Sequence, residues 1–225
     1  MHEMKKYALI VAGGKGLRMG TSLPKQFLPL AGKPMLYYSI HAFLQAVDDI
    51  SIILVLPEDM LSYAQIVLQA FPERIDLTIV AGGPTRFHSV QNGLATIEGD
   101  GLVAVHDGAR PMVKPEMILR CFQQAAKNGS AIPVIPVTDS VRIVEGGNSR
   151  VVPRDQLRII QTPQVFQSAI IKNAFEQEYC DAFTDEATVL EANGGKVTLV
   201  DGDKLNIKVT TPEDMLMAEY LLNAR

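Results

Sequence analysis

The chain carries only two cysteines and four histidines among its 225 residues. Cys121 and Cys180 stand far apart with no C-x-x-C spacing, which predicts two reduced thiols rather than a disulfide or a metal clip. His2, His41 and His88 have no companion at metal-ligand spacing, so no dedicated all-protein metal cage is expected. His106 reads as a packed strand residue. No apolar run reaches the length of a membrane span. The opening M-H-E-M-K-K-Y lacks the apolar segment and cleavage site of a signal peptide, so a cytoplasmic protein is expected. Excess positive charge is missing too. The formal net charge is -4, which disfavours a nucleic-acid binder but leaves room for a small anionic substrate held by local cations. There is no repeat, no low-complexity stretch, and no evident Ser/His/Asp or Cys/His set.

What is present is an alternation of apolar runs and helical stretches. Hydrophobic residues make up 47 % of the chain, enough for one substantial domain over residues 1–225. Strands are expected at Tyr7–Val11, Ile50–Leu56, Leu77–Ala81, Leu102–His106, Ala131–Val137 and Val197–Val200. Several are Val/Ile/Leu-rich without alternation, as in strands covered on both faces. Pro34, Pro57, Pro115 and Pro212 sit where first helical turns should begin. Thr211 reads as an N-cap, and Gly129 and Gly194 as C-terminal caps. The pattern predicts an α/β sheet with helices on both faces. Between Thr138 and Ile160 the alternation breaks. Val141–Val144 and Arg150–Val152 flank E-G-G-N-S, the signal of a hairpin too polar to hold its own core.

The most informative stretch is A-G-G-K-G-L-R-M-G-T-S-L-P-K at 12–25, directly after the first strand. Glycines there let backbone amides press against a ligand, and Arg18 and Lys25 set two cations beside them. It is not a P-loop, because G-x-x-x-x-G-K-[ST] is absent. It is not a dinucleotide fingerprint either: Gly14 and Gly16 fit, but Met19 stands in the third place, which counts against a dehydrogenase. Pro24 and Pro29 interrupt any helix that should follow. An extended loop around a triphosphate is the reading that remains beside a plain surface loop. Gly82 follows the third expected strand and Asp107 the fourth. Ligands in such sheets lie beyond the carboxyl ends of strands, so three distant segments should meet on one rim.

Further strings narrow the reading: G-G-P-T-R-F-H-S-V at 82–90, V-H-D-G-A-R-P at 105–111, Q-T-P-Q-V-F at 161–166, T-D-E-A at 184–187 and N-I-K-V-T at 206–210. With the glycine loop, and in this order, they resemble the 2-C-methyl-D-erythritol 4-phosphate cytidylyltransferase family over nearly the whole chain. The glycine loop is shared by many nucleotidyltransferases, the later strings by few. The resemblance implies a three-layer α/β sandwich around a mostly parallel mixed sheet, with residues 138–160 as a β-arm that hooks around a second subunit of a homodimer.

The resemblance also implies the chemistry. A phosphomonoester attacks the α-phosphorus of CTP and expels pyrophosphate. Its second pKa is about 6, so the nucleophile is already ionised and needs no general base. Arg18, Lys25, Arg154 and Lys208 become the catalytic set, with Arg154 serving the other subunit. Ala12, Gly13, Gly14, Gly16, Gly83, Arg86, Ser89 and Gly108 are expected on the nucleotide. Asp107, Arg110, Ser140, Thr184 and Thr210 are expected on a small polyol phosphate. Mg2+ would arrive on the CTP phosphates. Gly13, Pro84 and Ser140 depart from residues common in relatives; backbone contacts and the Ser140 hydroxyl survive that change. From the residues themselves Asp107 also fits a turn cap, and Asp185-Glu186 a helix start. Two alternatives stay open: a ribitol 5-phosphate cytidylyltransferase on the same scaffold, and a nucleotide-sensing module without turnover, against which the Arg18/Lys25 pair argues.

Overall fold

The computed structural model describes residues 4–13 and 23–224. The chain begins with β1 (Lys5–Val11), the small hairpin β2 (Pro29–Leu30) and β3 (Lys33–Pro34), then α1 (Met35–Ala46) and β4 (Ser51–Leu56). A 3-10 turn leads into the short α2 (Ala64–Leu68), followed by β5 (Leu77–Ala81), α3 (Arg86–Ala95), β6 (Gly101–Asp107), α4 (Pro115–Asn128) and β7 (Ser130–Pro136). The hairpin β8 (Val141–Glu145) and β9 (Asn148–Val152) comes next, then β10 (Arg158–Ile160), β11 (Gln164–Gln167), α5 (Ser168–Ala174), α6 (Glu186–Ala192), β12 (Leu199–Asp201) and α7 (Pro212–Asn223).

Eight strands form the main sheet in the order β10-β7-β11-β6-β1-β4-β5, with β12 beside β7. The pairs β1–β4, β1–β6, β4–β5 and β7–β12 are parallel, whereas β11 runs antiparallel between β6 and β7. Side-chain alternation along β1 divides the core. Ala8 and Ile10 face α1 and α4, meeting Leu36, Phe43, Ile118 and Phe122. Leu9 and Val11 face α3, α5 and α6, meeting Val90, Ile171 and Leu190. Helices therefore cover both faces, as the sequence predicts.

Local signals explain the helix ends. Thr211 caps α7 and Asp185 caps α6, each in a reciprocal box with the residue three positions on. Gly129 ends α4 at φ 85, a left-handed position that favours glycine. Two expectations shift. Pro34 precedes the first residue of α1 rather than opening it, and after Pro57 the chain makes a 3-10 turn, Glu58–Tyr63, before the five-residue α2. β10 and β11 escape sequence reading altogether. They are three and four residues long, with Pro163 between them, so no periodicity marks them.

Register explains the site. Val11 pairs with Asp107 on one side and Val55 on the other, and Leu56 pairs with Ala81. The glycine loop, Gly82 and Asp107 thus leave the same edge of the sheet. The segment from 138 onward forms the expected hairpin, β8 against β9, closed by Gly146 and Gly147 at φ 55 and 83. Two consecutive positive φ values suit the twist of a two-residue hairpin turn. Val144 and Val151 on it are 71 % and 68 % exposed, outside the core.

Candidate active site

Asp107 is the hub. It ends β6, is only 6 % exposed, and its carboxylate meets three cations. Arg86 Nη1 donates to Oδ1 at 2.5 Å; Lys208 Nζ lies 2.9 Å and Arg110 Nε 3.5 Å from Oδ2. Burial alone would raise this carboxyl, but the surrounding cations hold it well below the usual carboxylate range. Arg86, the first residue of α3, also donates through Nη2 to Glu186 Oε2 at 2.9 Å. Burial works against its charge, but Glu186 and Asp107 outweigh that and push the guanidinium up. Burial raises Glu186 and lowers Arg110, in each case against the pull of the opposite charge.

These ions form a wall between two cavities. The first, about 340 Å³, runs from Ala12 and Gly13 past Lys25 to Gly83, Ser89 and the wall residues Arg86, Asp107 and Lys208. The second, about 290 Å³, lies across the same three residues and is closed by Arg110, Gln161, Thr162 and Thr184. In the first cavity Lys25 Nζ donates to the Val209 carbonyl at 2.9 Å, which ties the segment after the glycine loop to the Lys208 strand-like stretch. Gln26 is buried and donates to the Ala12 carbonyl at 2.7 Å, fixing the exit of β1. The Ser89 hydroxyl accepts from Gly83 N at 3.1 Å and lies 2.9 Å from the Thr85 carbonyl, so it shapes the 82–85 turn while it lines the cavity. A Cβ on Gly83 would collide with His88, whereas among the described residues one on Gly13 would meet Ser89 Oγ at 3.9 Å.

Behind the wall lies a buried relay. His106 is fully buried and burial pushes it down to about 4, leaving it neutral near pH 7. Its Nε2 is 3.2 Å from the Arg110 carbonyl, which can only accept, so that nitrogen carries the proton. Thr162 then donates to Nδ1 at 3.1 Å and accepts from Asp107 N at 3.0 Å. Asn206 donates to the Thr162 carbonyl at 2.8 Å, and Arg110 Nη1 donates to the Asn206 carbonyl at 2.8 Å. The packed-residue reading of His106 is right, and it packs directly behind Asp107 and Arg110.

The structure thus gathers Ala12, Gly13, Lys25, Gly83, Arg86, Ser89, Asp107 and Lys208 at the first cavity, and Arg110 and Thr184 at the second. Gly14, Gly16 and Arg18 lie outside the described residues. Four expected residues line neither cavity. Gly108 sits behind the rim, where a Cβ would press Leu36 at 2.7 Å. The Thr210 hydroxyl donates to Asp214 at 2.8 Å beside the α7 cap. Ser140 is exposed at the root of the hairpin, and Arg154 is exposed and donates to the Thr138 carbonyl at 2.7 Å. Asp185 caps α6 as its local sequence allows. Sequence reading missed Gln26, Thr162, Gln164 and Glu186 as site builders. The strings Q-T-P-Q and T-D-E-A marked the neighbourhoods of Thr162, Gln164 and Glu186 without assigning these side chains, and Gln26 lies just past the end of the glycine stretch at Lys25. Among the described residues no group of three or more His, Cys, Asp or Glu could hold a metal ion. Both oxygens of Asp107 face cations, so it does not fit a metal ligand here.

A family model for 2-C-methyl-D-erythritol 4-phosphate cytidylyltransferase (IspD) matches residues 7–224. The chain belongs to this family. A curated relative of that name from Phocaeicola vulgatus is 48 % identical over 219 residues, covering 97 % of this chain and 100 % of the relative. Another from Porphyromonas gingivalis is 44 % identical over 223 residues, covering 99 % of this chain and 100 % of its own. Among solved structures, the enzyme of that name from Thermus thermophilus superposes with a TM-score of 0.77 at 32 % identity, covering 98 % of this chain and 99 % of that one. A 4-diphosphocytidyl-2C-methyl-D-erythritol synthase from Anaerococcus prevotii gives 0.83 at 29 % identity, with coverage of 98 % and 99 %. The family membership makes the chain a nucleotidyltransferase, and the mixed, mostly parallel sheet is the family's fold.

Proposed function

We propose that this enzyme transfers the cytidylyl group of CTP to 2-C-methyl-D-erythritol 4-phosphate, giving the CDP-polyol and pyrophosphate. The observation that carries the reading is the pair of cavities sharing the Arg86–Asp107–Lys208 wall. One side offers a tight turn at Gly83 and Ser89 with Lys25 beside it, suited to a nucleotide. The other offers Arg110, Thr184 and Lys208, suited to a short phosphorylated polyol. A phosphate oxygen of the polyol forms the new bond to the α-phosphorus while the bond to the bridging oxygen breaks and pyrophosphate departs. Mg2+ enters as part of the CTP complex, held by phosphates and water.

Lys25, with Arg18 from the glycine loop, offsets charge on the triphosphate as it breaks. Asp107 orients Lys208 and Arg110 and takes a substrate hydroxyl. Two subunits exchange their 138–160 arms, and Arg154, with Ser140 at the arm's root, reaches the partner's site in a cytoplasmic homodimer. Val144 and Val151 supply the apolar surface such an exchange would cover.

The test is pyrophosphate release from purified protein with CTP and either 2-C-methyl-D-erythritol 4-phosphate or ribitol 5-phosphate. Fast release with the first and little with the second supports the reading. The reverse preference makes this a ribitol phosphate enzyme, and release with neither removes the transfer.

A further inference from the structure

Glu186 is a buried carboxylate outside both cavities, and its place is fixed from two sides. It opens α6, is 1 % exposed, and among the described residues reaches the site through its ion pair with Arg86. It is not needed to cap its own helix. Thr188 N already donates to Asp185 Oδ1 at 2.9 Å, and Ala187 N donates to Gln164 Oε1 at 2.9 Å. Nor is it an economical way to join α3 and α6. Both helices already contribute to one apolar cluster, α3 with Phe87 and Val90 and α6 with Ala187 and Leu190, and apolar burial of that kind avoids the desolvation cost of a buried ion pair.

Its effect falls on Arg86. A guanidinium facing two anion-sized cavities is the usual fork for a phosphate. Here one terminal nitrogen donates to Asp107 and the other to Glu186, 100 residues further along the chain. The arginine is therefore turned onto protein carboxylates and serves as a partition. The described side chains around both cavities comprise four cations, Lys25, Arg86, Arg110 and Lys208, against the carboxylates Asp107, Asp185 and Glu186. Among the described residues the positive excess is one, and Glu186 helps keep it small.

We propose that Glu186 is a positioning residue that withholds Arg86 from the substrate phosphates and so limits how tightly the site holds a polyanionic product. This rests on the function proposed above. Its sense is kinetic: a site with Arg86 released would grip pyrophosphate and clear it slowly.

The test is direct binding of inorganic pyrophosphate to the full-length protein by calorimetry, alongside steady-state turnover. Glu186→Gln keeps the shape and an acceptor oxygen but removes the charge. Glu186→Asp keeps the charge but draws it back by one methylene, loosening the hold on Arg86. Pyrophosphate should bind about three- to tenfold more tightly to the Gln variant, the scale of one charge several ångströms away at a partly wet site. The Asp variant should shift the same way by less. Turnover should fall about tenfold in Glu186→Gln, with pyrophosphate inhibition strengthened in proportion. A merely structural role would loosen the site and weaken anion binding. Unchanged or weaker pyrophosphate binding in whichever variants fold overturns the proposal, as does failure of both to fold, since Glu186 would then be a structural tie. If wild type binds pyrophosphate but transfers nothing from CTP, the functional reading fails, while the affinity comparison still decides the role of Glu186.

Discussion

The ammonium of Lys208 rests 2.9 Å from Oδ2 of Asp107, yet the lysine side chain is 46 % exposed while the aspartate is 8 % exposed. One end of the pair is anchored and the other can swing. An arriving phosphomonoester can draw Lys208 toward itself while Arg86 and Arg110 remain on Asp107.

Asp107→Asn should therefore damage both chemistry and stability. Turnover should fall about 10²–10³-fold, the loss expected when a preorganised charge array is broken. At pH 7 the variant should be less stable by about 3 kcal/mol, because buried cations lose their counter-ion. The folded carboxyl is depressed, so its contribution is complete above about pH 4, the ordinary unfolded value, and is lost only as pH falls well below that. Urea denaturation at pH 7 and pH 3 checks this; a gap that widens in acid contradicts it.

Lys25→Ala should lower kcat by about 10²–10³, or about 2.7–4 kcal/mol, with the fold intact. Lys25 sits in a 3-10 turn, where its ammonium donates to the Val209 carbonyl. Full activity in a folded variant removes Lys25 from the transition state.

His106 sets an acid limb on stability. Its folded pKa is pushed down to about 4 by burial, below the ordinary 6.5 of an unfolded histidine. Stability from the neutral ring is complete above about pH 6.5 and fades as pH falls toward 4, by up to about 3 kcal/mol. His106→Gln can still offer an N–H toward the Arg110 carbonyl but does not titrate. Its unfolding free energy should be flatter than wild type between these values; parallel curves would contradict the assignment.

The shared-site proposal has a subunit-mixing test. Arg154→Ala and Lys25→Ala subunits are combined under conditions of exchange. A mixed dimer then carries one doubly damaged site and one intact site, so activity should recover to about one quarter of wild type for random pairing. No recovery despite proven exchange places Arg154 in its own subunit's site or couples the two sites.

Features that depend on neighbours in sequence were legible: the Thr211 and Asp185 caps, the Gly146-Gly147 hairpin, the strand before the glycine loop. So was the meeting of Gly83 and Asp107, because parallel strands of an α/β sheet place their carboxyl ends on one edge. Features that depend on distant partners were not. Arg86 was expected on the nucleotide and lines the first cavity, but nothing in its own segment reveals its partner Glu186, 100 residues away. β11 was invisible because four residues between β6 and β7 draw their stability from those neighbours rather than from any period of their own. The contact between Thr162 and His106 was unreadable for the same reason, the two being 56 residues apart and joined in the folded core.

The wall between the cavities is assembled from three separate stretches of chain, around Arg86, Asp107 and Lys208, while Thr184 and Ile160 face the second cavity alone. With the second cavity as the proposed acceptor side and the first as the donor side, mutation can resize the one without disturbing the other. A scaffold partitioned in this way can acquire a new sugar alcohol by changing a few peripheral side chains and inherit its nucleotide handling unaltered.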